Sequence, residues 1–107
     1  MKKNNIFSNI INSKDETFET LVESKNVKIE RIVSDAHVSP KDFWYDQEDD
    51  EWVIVLQGSA VIDFENKESV RLGVGDYLFI KAHQKHRVEW TNEEEKTVWL
   101  AVHLKTL

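Results

Sequence analysis

Four histidines (His37, His83, His86 and His103) and one carboxylate that opens an apolar run, Glu51, are the residues of this 107-residue chain best suited to chemistry. Glu51 begins the stretch Glu51-Trp52-Val53-Ile54-Val55-Leu56-Gln57. A carboxylate on such a stretch is costly to bury unless a cation or a hydrogen-bond donor neutralises it. Imidazole together with carboxylate suits a first-row divalent transition metal such as Zn, Fe, Mn or Ni, or the two groups simply hydrogen-bond each other. The chain has no cysteine, which excludes disulfides, zinc–thiolate sites and thiol nucleophiles. The acidic run Asp46–Glu51 lacks the glycine and alternating spacing of a calcium loop and reads as a solvated loop entering a strand. No Ser–His–Asp arrangement or phosphate-cradling loop is present, and Gly73-Val74-Gly75 is a tight turn with no helix after it.

The elements that must position these groups are short strands. Gly, Asn, Asp and Lys breaks separate the β-rich runs Glu51–Gln57, Ala60–Glu65, Ser69–Leu72, Tyr77–Ile80, His86–Trp90 and Thr97–Leu104. Short runs at this spacing, with little room for helices, indicate an all-β sandwich or barrel. Ahead of them, Phe18–Glu23 and Val27–Val33 read as a hairpin around Ser24-Lys25-Asn26. Pro40 marks the loop from hairpin to barrel, and residues before Thr17 offer at most a helical turn around Ile6–Ile11. Val53 and Val55 alternate with Trp52, Ile54 and Leu56, so both faces of that strand are apolar. The outer face must be covered by the hairpin or by a second subunit, and a homodimer is expected. The last strand is equally two-sided, with Val98, Leu100 and Val102 opposing Trp99, Ala101 and His103.

Length and charge bound the partners. A chain of this size is one domain, read as an arm and hairpin over 1–42 and a barrel core over 43–107. A formal charge of −6 without a clustered basic face argues against nucleic acid. No run reaches the roughly 18 apolar residues of a membrane span, and the apolar stretch near the start is broken by Asn and Ser. A cytoplasmic location is expected.

Two segments resemble the sequence motifs of the cupin superfamily. Glu51 stands seven positions before Gly58, as the glutamate of the first motif does. The segment Gly75-Asp76-Tyr77-Leu78-Phe79-Ile80-Lys81-Ala82-His83-Gln84-Lys85-His86 follows the second motif in register and places His86 on its histidine. Phe43–Gln47, Asp50–Trp52, His86–Val88 and Trp99–His103 look like a group of small single-domain bacterial cupins. The resemblance implies a double-stranded β-helix, a jelly-roll barrel with the N-terminal hairpin as an extension. The departures are specific. Tyr45 and Gln47 occupy the first motif's histidine positions, Lys81 replaces its partner motif's proline, His83 the usual turn glycine, and Trp90 the closing asparagine.

Carried onto this chain, the resemblance puts Glu51 and His86 on strands side by side in the barrel wall, pointing inward. Together with Gln47 they would ligate a divalent metal, with Glu51 and Tyr45 as the catalytic groups. Alternatively, Glu51 only hydrogen-bonds His86 or Tyr45. Trp90, inward and near His86, would wall a ligand pocket. His103 joins it if Trp99 and Ala101 face the lumen, which periodicity leaves open. His83 falls at the rim, and His37 in a loop that could fold over the mouth. The functions this implies are a metal-dependent enzyme on a small polar metabolite, a metal-free binding or sensing module for a small-molecule ligand, or a partner-binding dimer. The fold carries isomerases, lyases and dioxygenases, so it fixes no reaction.

Overall fold

Val, Ile, Thr, Trp and Phe, alternating with polar residues or lining both faces, favour extended chain, and the turns between runs carry the residues that need unusual backbone angles. The computed structural model describes residues 1–105, and no helix occurs among them. The strands are β1 Asp15–Glu23, β2 Val27–Asp35, β3 Asp50–Gln57, β4 Ala60–Phe64, β5 Ser69–Leu72, β6 Tyr77–Ile80, β7 His86–Thr91 and β8 Thr97–Leu104. Residues 106 and 107, the end of the expected barrel, lie outside the described ones. Around Ile6 there is a single turn, closed by the Ser8 N–H on the Asn5 carbonyl at 3.0 Å, in place of a helical segment.

The strands form two antiparallel sheets, one ordered β1-β2-β8-β3-β6 and the other β5-β4-β7. They face each other as an all-β jelly-roll. The hairpin is hydrogen-bonded into the larger sheet through β2 and β8, from Val27 opposite Leu104 to Ser34 opposite Thr97. Between the sheets lies a core of Ile32, Val53, Val55, Ala60, Ile62, Phe64, Leu72, Ile80, Trp99 and Ala101. Gly58 joins β3 to β4 at φ +85°, and a Cβ there would sit 2.4 Å from the Thr97 Oγ1 and 2.8 Å from the Thr97 Cα. Only glycine fits that crossing.

The N-terminal arm covers part of the outer face of the larger sheet. There Arg31 Nη1 donates to the carbonyls of Ile6 at 3.0 Å and Ser8 at 2.6 Å, and Lys96 Nζ bonds the Asn12 side chain at 2.8 Å, so the N-terminal arm lies on that face. Val33 and Val98, paired on the same face, are buried. Further along, the register lines up Val22, Ile29, Val102, Trp52 and Phe79 in one row across all five strands. Val22 is 55% exposed and Phe79 50%. No helix among the described residues is long and apolar enough to cross a membrane.

Candidate functional site

Glu51 and His86 project into one cavity between the sheets, but their strands are not neighbours. β3 uses both edges on β8 and β6, while β7 pairs with β4, so the two side chains meet across the lumen from opposite sheets. His86 Nε2 lies 3.9 Å from Glu51 Oε1. The cavity measures about 60 Å³, space for a few waters or a compact polar molecule.

His86 opens β7, and Tyr45 is bridged to it by paired backbone bonds of 2.7 and 3.2 Å. The Tyr45 ring stacks on the imidazole at 5.5 Å, with 27° between planes. His86 Nδ1 lies 2.9 Å from the Gln84 carbonyl, which can only accept, so this nitrogen carries the proton and Nε2 offers its lone pair to the lumen. Burial holds the His86 pKa below the ordinary imidazole value, against the opposing effect of that backbone bond. Glu51 is 6% exposed, and no hydrogen bond reaches its carboxyl among the described residues. Burial pushes its pKa up, the charges of Glu30 and Glu16 add to the rise, and His103 opposes it. Burial therefore favours the neutral form of each member of the Glu51–His86 contact.

A second Glu–His pair in the same cavity has the opposite character. His103 Nε2 sits 2.8 Å from Glu30 Oε1. That hydrogen bond is the main cause both of the lowered Glu30 pKa and of the raised His103 pKa, so it favours the charged form of each. Glu16, from β1, closes the wall. It accepts the Ser34 hydroxyl at 2.9 Å, and Ser34 in turn accepts the Trp99 indole N–H at 3.0 Å. The Tyr45 hydroxyl also bonds Glu16, and burial together with that carboxylate raises the Tyr45 pKa to about 12. Burial raises the Glu16 pKa despite these donors.

The residues expected from the sequence divide accordingly. Tyr45, Gln47, Glu51, His86 and His103 all line the cavity, with Trp99 on the same side as His103. Trp90 does not. One extra residue in β7, Glu89, forms a bulge against β4, where Val88 pairs with Ile62 and Trp90 with Val61. The added residue turns Trp90 outward, and Arg71 sits over its ring at 5.2 Å. His83 is at the rim, 2.7 Å from Asp46. His37 lies beside Glu16 at 3.7 Å, behind the cavity wall. Glu16, Glu30 and Phe18, all from the hairpin, were missed. On β2 the outward Ile29, Arg31 and Val33 look at least as core-like as the inward Glu30 and Ile32, so alternation gave no signal.

The donors do not fit a resident divalent metal. His86 Nε2 and Glu51 converge, His103 is committed to Glu30, and the remaining positions carry a phenol and an amide. Among the described residues no group of three or more His, Asp or Glu is arranged to hold an ion.

Residues 35–103 match the cupin domain family. A protein from Ralstonia eutropha JMP134, proposed to be a mannose-6-phosphate isomerase, is 45% identical, with a TM-score of 0.93 over 99% of this chain and 100% of that one. A cupin superfamily protein from Desulfitobacterium hafniense is 20% identical, with a TM-score of 0.77 over 99% and 94%. The iron(II) form of HppE is 16% identical, with a TM-score of 0.71 over 84% of this chain and 50% of that one, a likeness of fold. Comparison with curated proteins finds no match. With its jelly-roll sheets and the family match over residues 35–103, the chain belongs to the cupin family.

Proposed function

We propose that the barrel lumen binds a small polar molecule and holds it against Glu51 and His86, which act on it as a metal-independent acid–base pair. The observation that carries this reading is the pair itself: a buried carboxyl and an imidazole lone pair 3.9 Å apart in one cavity. Burial favours the neutral forms of Glu51 and His86, whereas the Glu30–His103 hydrogen bond favours the charged forms, and environments that push pKa values apart in this way assign acid and base roles. Proton transfer of an isomerase type needs no more, and the similar Ralstonia protein is proposed to be an isomerase. Tyr45, stacked on His86 and far from ionising, orients the ring. Gln47 lines the cavity and supplies an amide for the ligand.

A panel of small polar metabolites, followed through the His86 and Trp99 ring signals by NMR, tests this. The reading requires at least one compound to shift both rings, and His86→Ala to remove its binding. It fails if no compound reaches the lumen. Binding that survives in wild type without turnover favours the sensing module, for which the phenol and amide at the motif-histidine positions are sufficient. Protein purified without a histidine tag is expected to carry less than about a tenth of an equivalent of Zn, Fe, Mn or Ni. A stoichiometric metal lost on His86→Ala would contradict the metal-free reading.

The uncovered row Val22, Ile29, Val102, Trp52 and Phe79 we assign to contact with a second copy of the chain. A contiguous apolar face of this kind marks an association surface, and two-fold pairing would bury it on both copies.

A further inference from the structure

The charged groups on the cavity wall are carboxylates and imidazoles. Glu16, Glu30 and Glu51 come from three different strands, and among the described residues no Lys or Arg lines the space. The nearest ammonium, Lys28 Nζ, is 3.7 Å from Glu30 and one-third exposed. Phe18, Tyr45 and Trp99 present aromatic surface to the same cavity. Glu51 is more than nine-tenths buried and faces the cavity, and its carboxyl receives no hydrogen bond among the described residues, its contact with His86 being 3.9 Å long.

We propose that the lumen's ligand is a small organic cation, an ammonium of a few heavy atoms, seated between Glu51 and Glu16 against the Tyr45 and Trp99 rings. The inference rests on the lumen being a small-molecule site. Carboxylates and aromatic faces are the two surfaces that attract an ammonium in a dry pocket. An anion of equal size, a phosphate ester included, would meet carboxylates with no cationic side chain to receive it. Glu51 is faced by Glu16 of β1, Glu30 of β2, His103 of β8, His86 of β7 and Tyr45 ahead of β3, with Lys28 beyond Glu30 and His37 beyond Glu16. The basic groups among these, His103 and Lys28, already contact Glu30. A bound ammonium therefore favours the ionised forms of Glu51 and Glu16.

The test is a charge series at constant size. The full-length protein is titrated with propylammonium, 1-propanol and propionate at about pH 7.5, following the His86 and Trp99 ring signals. Propylammonium is expected to bind at least about tenfold more tightly than either of the others, and more tightly still as pH rises from about 6 to about 8. Glu51→Gln and Glu16→Gln, each isosteric, are each expected to weaken it by about fivefold or more. If 1-propanol or propionate shifts the two rings at equal or lower concentration, the cation assignment falls and the lumen site stands. If propylammonium binds equally well to both variants, it is bound elsewhere and the assignment falls. If none of the probes shifts either ring, the assignment and the small-molecule site fall together.

Discussion

Replacing Glu51 by glutamine makes the cost of the buried carboxyl measurable. The amide has nearly the same shape but cannot ionise, so the two proteins differ only where Glu51 would carry charge. The Glu51 pKa is raised above its ordinary value of 4.5, chiefly by burial. Between that value and its folded one, the folded state holds a proton that the unfolded chain has released, so wild-type stability falls as pH rises. The slope for one such group is about 1.4 kcal/mol per pH unit. Glu16, also raised, contributes with the same sign, and His103, raised as well, adds a loss as pH climbs through its folded value. Both remain in the variant, and because they interact electrostatically with Glu51 the difference reads Glu51 together with its coupling to them. Urea unfolding of both proteins from about pH 4.5 to about pH 8 gives the comparison. Glu51→Gln is expected to match wild type at the acidic end and to gain on it by about 1.4 kcal/mol per unit until Glu51 ionises in the folded protein. A difference that is flat across this range, or that shrinks with rising pH, would refute the placement of Glu51 in a desolvated site.

Other perturbations separate the remaining parts of the account. Gly58→Ala places a Cβ 2.8 Å from the Thr97 backbone at φ +85° and is expected to cost about 3 kcal/mol in urea unfolding; a loss below about 1 kcal/mol would show that the β3–β4 crossing is looser than described. Glu30→Gln strands the His103 imidazolium 2.8 Å from its lost partner and is expected to destabilise by about 1–3 kcal/mol. The loss should be largest between the ordinary carboxylate value of 4.5 and the ordinary imidazole value of 6.5, and should fade as pH falls through the lowered folded pKa of Glu30 or rises through the raised one of His103; an effect that instead grows at alkaline pH would contradict the ion pair. Phe79→Glu, at the end of the uncovered apolar row, is expected to turn a dimeric mass in light scattering into a monomeric one without loss of fold, and an unchanged mass would remove the sheet face as the contact.

The barrel was legible because its punctuation is local. Each strand lies between breaks visible in the sequence, and Gly58, seven positions after Glu51, is required by the Thr97 contact as well as by its φ. Even a departure from the motif kept its geometry: His83, in place of the turn glycine, adopts φ +64°, and its ring reaches Asp46 at 2.7 Å. What the sequence hid depends on tertiary covering and register. Glu30 faces inward although Ile29 and Val33 beside it look more like core, since the N-terminal arm, held by Arg31, buries part of the outer face. Glu16 becomes a wall residue only because β1 continues the sheet beyond β2. Trp90 was misplaced by a single bulge at Glu89, since one added residue reverses every side chain beyond it. Glu51 and His86 were correctly aimed inward, but from facing sheets.

The protonation of His86 tests the proposed centre most directly. Nitrogen-detected NMR on histidine-labelled protein reports both the tautomer and the titration of each ring. The account predicts a neutral His86 that carries its proton on Nδ1, turned to Gln84, and keeps that form to a pH below the ordinary imidazole value of 6.5. A His86 that titrates like a solvated imidazole, or holds its proton on Nε2 in the ligand-free protein, would contradict a buried acid–base pair at this position.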